Sequence, residues 1–286
     1  HDYVNKSLNL SADEKWVVVA GDAPYILLLD LQNLKSVKVD SHVGAVTSIV
    51  VPYGQNYFYS LGIEDQTLRR NDYTNSTVVK HFDERIRSLT ISRDNKYLIG
   101  GTEKGEIIVW NEKNLEKLYS TTSITSQPVY ALTVNNSNSW LAVGDEAGGI
   151  YLCDLKGIES DLSKLLTFTG QNSRISKISF SDNDNLLAAA SLDGSIQVWQ
   201  MREPDNLPLV FQDHDDHVWD ITFNPQGSFL LAGIRSGKVK IWPTKPEMLA
   251  DMICGKLMRN MTRNEWKRYV AEDIEYQKTC TISSSK

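Results

Sequence analysis

Six times along its 286 residues this chain repeats one pattern, an apolar residue followed at once by a polar turn. The copies read Leu10-Ser11-Ala12-Asp13, Val51-Pro52-Tyr53-Gly54, Ile91-Ser92-Arg93-Asp94, Val134-Asn135-Asn136-Ser137, Phe180-Ser181-Asp182-Asn183 and Phe223-Asn224-Pro225-Gln226. Their starts at 10, 51, 91, 134, 180 and 223 are spaced by 41, 40, 43, 46 and 43 residues. A period held this closely makes each copy one structural unit, stacked on its neighbours.

The order inside each copy is constant. An alternating strand comes first, such as Ile86-Arg87-Ser88-Leu89-Thr90-Ile91, with apolar residues at every second place. After the turn a small-residue strand follows, such as Leu186-Leu187-Ala188-Ala189-Ala190, and then a tight turn, Asp193-Gly194, into Ser195-Ile196-Gln197-Val198-Trp199. A less regular strand closes the copy, as in Leu115-Glu116-Lys117-Leu118-Tyr119. Short strands with turns every few residues leave no room for βαβ units, so the fold class is all-β. A unit of this length with four strands has the size of a β-propeller blade.

The copies resemble WD repeats. A strand-ending tryptophan stands at Trp110, Trp199 and Trp242, the turn aspartate at Asp65 and Asp193, and the histidine four residues before the first strand at His42 and His214. The resemblance covers roughly residues 5–242 and implies a ring of four-stranded blades. In that family histidine, serine or threonine, aspartate and tryptophan share a buried hydrogen-bonded tetrad. No copy here holds all four: Ser236 stands in an aspartate place, and Leu29, Asn71 and Cys153 stand in tryptophan places. Copies fall near 5–40, 46–81, 86–120, 129–168, 175–212 and 218–242. The sixth shows three strands, and such rings close with seven blades, so a seven-bladed ring with blade material upstream of His1 is expected.

After residues 1–245 the character changes, and 246–286 is expected to be a helical tail packed on the propeller. Leu249, Met252, Ile253 and Leu257 have helical spacing behind Pro246, and Thr262-Arg263-Asn264-Glu265 is a capping box for a second helix through Trp266 and Tyr269. The stripe and Trp266 are expected to cover a propeller edge. With Tyr276 and Thr279-Cys280, this tail is similar to the end of many bacterial multidomain WD-repeat proteins. That likeness implies a bacterial signalling or effector parent with a STAND-type nucleotide-binding domain, a caspase-like peptidase or a protein kinase upstream.

The sequence offers little chemistry. Asp213-His214-Asp215-Asp216-His217 has metal-ligand residue types, but His214 already fills a repeat position. Asp182-Asn183-Asp184-Asn185 lacks the glycine and distal glutamate of a calcium loop and sits where a two-strand turn prefers Asp and Asn. Gly144 to Gly149 is a strand connection, since neither a lysine nor a helix follows. There is no nucleophile elbow. Three cysteines, Cys153, Cys254 and Cys280, suit neither a disulfide framework nor a zinc site, and Cys280 is expected as an exposed thiol. No catalytic set, metal or cofactor is expected. A metal-dependent propeller hydrolase, the alternative, is disfavoured by apolar residues at Ile49, Leu89, Leu132, Ile178 and Ile221 on the first strands.

Aromatic and basic residues outside the repeat signature are better guides. Trp219 follows Val218, and the spacing gives Arg87, Tyr130 and Lys177 the equivalent place in other copies. These four are the candidate partner-binding face, because Trp, Tyr and Arg dominate interface energetics. The net charge of −6 disfavours nucleic acid and anionic membranes as partners, and no apolar run reaches membrane-spanning length. The expected function is non-catalytic: a cytoplasmic recognition scaffold or sensor that binds protein partners or an upstream domain of its own parent chain.

Overall fold

In the computed structural model each alternating segment pairs antiparallel with the segment after it, so every copy becomes a meander with its first strand at one edge. The structure describes residues 5–121, 123–156, 158, 162, 164–168, 171–212, 216–257, 259–270, 272–278 and 280. Among these, five sheets have four strands and the sixth has three. The sheets are numbered here as blades 1 to 6 in chain order. Their inner strands are Asn5–Leu10, Val46–Val50, Ile86–Ile91, Val129–Val134, Ile175–Phe180 and Val218–Phe223. Together they form a six-bladed β-propeller.

A blade has two apolar faces and must bury both against neighbours. The first residue of the inner strand does most of this: Val46, Ile86, Val129, Ile175 and Val218 are wholly buried. Ile49, Leu89, Ile178 and Ile221 are buried in the same interfaces, each blade's inner strand packing on the sheet before it. Those apolar positions face sideways into blade contacts rather than into the channel. The repeat tryptophans add an aromatic contact across blades. Trp110 lies 4.9 Å from Phe82, Trp199 4.8 Å from Phe168 and Trp242 5.7 Å from Phe211, ring centre to ring centre.

A second inter-blade device sits at the turn after the inner strands of blades 3, 4 and 5. Asn95, Asn138 and Asp184 adopt positive φ of 55°, 54° and 57°, a conformation that Asn and Asp tolerate. Each side chain reaches back to the preceding blade. Asn95 accepts from the Tyr53 N–H at 2.9 Å, Asn138 from the Arg93 N–H at 2.7 Å and Asp184 from the Asn136 N–H at 2.8 Å. Asp184 also accepts from the Ser137 N–H and from Asn135. The Asp182–Asn185 turn is therefore an inter-blade latch.

Among the described residues the inner strands of blades 1 and 6 touch but leave a gap between their sheets. The expected seventh blade is not among the described residues, and the six that are do not bury blade 1 against blade 6. Leu8 holds in blade 1 the place that Ile221 fills in blade 6, yet it is 55% exposed and Leu10 is 45% exposed. Opposite them Val239 and Ile241, on the last strand of blade 6 (Val239–Pro243), are 66% and 60% exposed. A cavity of about 520 Å³ lies between these walls.

The tail corrects two expectations. Helix α1 (Pro246–Cys254) and helix α2 (Arg263–Tyr269) form, with the capping box between Thr262 and Glu265 intact. However, Met252, Ile253 and Leu257 are exposed and Leu249 is half-buried, so α1 touches the last strand of blade 6 without burying the stripe. Trp266 is buried within the tail itself, donating to the Ile274 carbonyl at 3.0 Å and packing edge-on against Tyr276. Nor is Cys280 an exposed thiol. It is buried and disulfide-bonded to Cys254, because the chain doubles back after α2 and Asn260 clasps the backbone of Cys280 in both directions. Sequence separation of 26 residues hid a pair whose Cα atoms are 5.3 Å apart. No helix among the described residues is long and apolar enough to cross a membrane.

Three substitutions check this packing. Ile221→Ala should cost about 2–5 kcal/mol in urea denaturation, as a cavity left in a packed interface does, whereas Ile241→Lys should cost less than about 0.5 kcal/mol. Equal losses would mean that the gap beside blade 6 is filled. Asp184→Ala should cost about 1–3 kcal/mol by stranding backbone donors of blade 4.

Candidate functional site

Pairing between inner and second strands slips by one residue at the same point in every blade. Val46 pairs with Gly62 but Ser48 with Leu61, and the same break falls between Ile86 and Ser88, Val129 and Ala131, Ile175 and Lys177, and Val218 and Asp220. Blade 1 slips likewise between Asn5 and Ser7, and in blades 2 to 6 the skipped residues are Thr47, Arg87, Tyr130, Ser176 and Trp219. A bulge re-aims the extra side chain. All five line one cavity of about 360 Å³, completed by Ile63, Arg174 and Leu192, at one mouth of the ring.

The backbone under this mouth is uniform. The N–H of the residue after each second strand donates to the carbonyl of the residue before each inner strand: Ile63 to Ala45, Glu103 to Arg85, Glu146 to Pro128, Leu192 to Arg174 and Arg235 to His217, at 2.9–3.1 Å. Side chains at these places therefore ring the opening. Arg87 donates to Glu103 at 2.9 Å, with Arg85 at 3.7 Å from the same carboxylate, and Arg174 donates to Glu146 at 2.8 Å. The Arg174 guanidinium carbon stands 3.8 Å from the Tyr130 ring centre and that of Arg87 stands 5.9 Å away. Trp219 meets the His217 ring edge-on at 6.1 Å.

Three of the four face residues, Arg87, Tyr130 and Trp219, are thus brought together. Lys177 is not. The bulge in blade 5 falls at Ser176, and Lys177, one place on, pairs with Asp220 at 3.4 Å and lines the gap toward blade 1. Aligning Ile175 with Val218 would have pointed to Ser176. Arg174, Ile63 and Leu192 carry no comparable sequence signal, since only the backbone ladder of the mouth defines their places.

The repeat-signature residues do other work. In blade 2 the His42 Nε2 lies 2.8 Å from the Ser60 hydroxyl, and its Nδ1 lies 3.2 Å from Asp65 and 3.1 Å from Thr67. Asn71, in the tryptophan place, donates to Ser60 at 3.0 Å. One neutral tautomer satisfies the chain, with Nδ1–H given to Asp65 and Nε2 accepting from Ser60. A Cβ at Gly62 would run into His42 and Asp65, so this close approach requires glycine. Burial pushes the His42 imidazole below its ordinary value, against the pull of Asp65. Burial works the other way on Asp65, but the Val43 N–H, His42 and Thr67 outweigh it and hold the carboxyl down. In blade 5 Asp193 accepts from Ser195 and from the Asn172 N–H at 2.9 Å, which lowers its carboxyl despite burial. His214, with Asp213 and Asp215, lies outside the described residues. Among the described residues no three His, Cys, Asp or Glu side chains group as metal ligands.

Fold and mouth define the class: this is a six-bladed β-propeller, and WD repeats are recognised in three of its segments. The family model described as "WD domain, G-beta repeat" matches residues 74–111, 162–200 and 206–243. The chain is similar to the GATOR2 complex protein WDR24 of Danio rerio, 28% identical over 103 residues, which is 35% of this chain and 13% of that protein. It is also similar to the Target of rapamycin complex subunit wat1 of Schizosaccharomyces pombe, 35% identical over 78 residues, which is 27% of this chain and 24% of that protein. The matches thus span about an eighth to a quarter of these relatives. Among solved structures, the Cps50 (Swd1) β-propeller domain of Myceliophteria thermophila superposes with a TM-score of 0.72 at 18% identity, covering 86% of this chain and 85% of that one. That likeness concerns the fold alone.

The blade 2 network predicts a pH dependence. The unfolded histidine takes up a proton near its ordinary value of 6.5, and the folded His42 resists it. Below that pH the unfolded state binds more protons, so stability falls as pH drops. Asp65 acts in a separate window below its ordinary 3.8, where stability is again lost on acidification. Thermal melts of His42→Asn should fall less than wild type between pH 6.5 and 5; parallel curves would refute the assignment.

Proposed function

We propose that this propeller is a non-catalytic recognition platform that binds a protein partner at the mouth lined by Thr47, Arg87, Tyr130, Ser176 and Trp219. The observation that carries it is the shared bulge, which turns five successive blades' side chains into one cavity. Those residue types match interface hot spots, and the pocket volume falls in the range of ligand sites. The relatives named as subunits of complexes support the same role. The tail's likeness to bacterial multidomain proteins supports a regulatory role in a larger signalling parent; the named relatives are eukaryotic and add nothing to that part.

A photo-crosslinking amino acid at position 130 tests the reading in the native host. It should give discrete protein adducts that are absent when the same group sits at exposed Val78 on the outer strand of blade 2, and Trp219→Ala should abolish them. The same adducts from both positions would sink the assignment. Metal analysis returning one tightly held ion per chain would instead favour the hydrolase reading.

A further inference from the structure

Granting that the mouth is a binding site, its charges and stacking select the ligand. The Tyr130 ring would attract a cation, as aromatic faces do. That face already carries the Arg174 guanidinium at 3.8 Å, with Arg87 at 5.9 Å. A lysine or arginine side chain entering here would meet two fixed guanidiniums and find the ring occupied. The ion pairs leave an imbalance of the opposite sense. Arg85 and Arg87 share Glu103, and Arg174 has Glu146, so three guanidiniums face two carboxylates. Each of Arg87 and Arg174 gives one terminal nitrogen, Nη2, to its glutamate, so the ligand meets the other terminal nitrogen, while the Nε of each is buried without a hydrogen bond. Arginine forks are built to hold a carboxylate through two parallel bonds. Beside them Ile63, Leu192 and Trp219 offer an apolar wall.

We infer that the mouth binds an extended peptide segment that places an acidic side chain between Arg87 and Arg174, with a neighbouring apolar residue against Trp219. The carboxylate takes the surplus positive charge. Tyr130 holds the Arg174 plane fixed, so little side-chain entropy is lost on binding. Glu103 and Glu146 orient the guanidiniums but also compete with the ligand for them. Removing either should therefore strengthen binding, a change of sign that loss of folding cannot imitate.

The test uses the full chain and a phage-displayed library of random 12-residue peptides. Enriched sequences are then synthesised with amidated C-termini, so that side chains supply the carboxylate, and measured by fluorescence anisotropy. Enrichment of Asp or Glu beside an apolar residue is expected. Replacing that Glu by Gln, or making Arg87→Gln or Arg174→Gln, should weaken binding about tenfold or more, and Glu146→Gln should tighten it. Circular dichroism and melting confirm that each variant is folded, and Arg174→Lys should recover binding only in part. Peptides that depend on Trp219 yet ignore the Glu→Gln change and both arginine variants would overturn the acidic-ligand assignment while leaving the platform standing. Peptides indifferent to Trp219 as well, or no enrichment at all, would overturn both.

Discussion

Each blade of this protein relies on a neighbour to cover an apolar face, as stacked repeats do. The wholly buried residue that opens the inner strand in blades 2 to 6, Val46, Ile86, Val129, Ile175 or Val218, is the point where that dependence is concentrated. Around it the tryptophan–phenylalanine contacts and the turn latches join blade to blade at the rim and at the base. Because the joints are alike, the signature tetrad can be incomplete in any one blade. Asn71 substitutes for a tryptophan by hydrogen-bonding to Ser60, and Cys153 fills the place within a buried apolar cluster. The architecture survives since burial, rather than the polar network, closes most interfaces.

Much of this was legible in the sequence, for a definite reason. Alternation reports which residues of a strand share a face, and a period near forty reports how many strands recur. Both signals are local. The capping box of α2 was legible for the same reason, being a hydrogen-bond pattern confined to four residues. What escaped depends on contacts between distant residues or on a break in local rule. A bulge is such a break: it shifts the phase by one, so Lys177 stood where Ser176 belongs. The Cys254–Cys280 bond, the self-contained packing of Trp266 and the reach of Arg174 across to Glu146 all join segments that no repeat relates.

The open flank beside blade 6 belongs with these. Its walls are made of ordinary strand residues, Leu8, Leu10, Val239 and Ile241, whose apolar character is the same as that of their buried counterparts elsewhere. Only the arrangement reveals that they lack cover. Exposed strand edges of this kind invite pairing with further β-structure, which sets blade 6 apart from the five complete sheets.

The recurring one-residue slip has a consequence for how such a molecule changes over time. It separates two duties that an unbroken strand would combine, because the residue before it anchors the hydrophobic interior while the skipped residue lines the mouth. Substitutions at Arg87, Tyr130 and Trp219 leave the anchors untouched, whereas the Ser176 hydroxyl donates to the Val218 carbonyl. Descendants of one scaffold can thus acquire new specificities without renegotiating their folding.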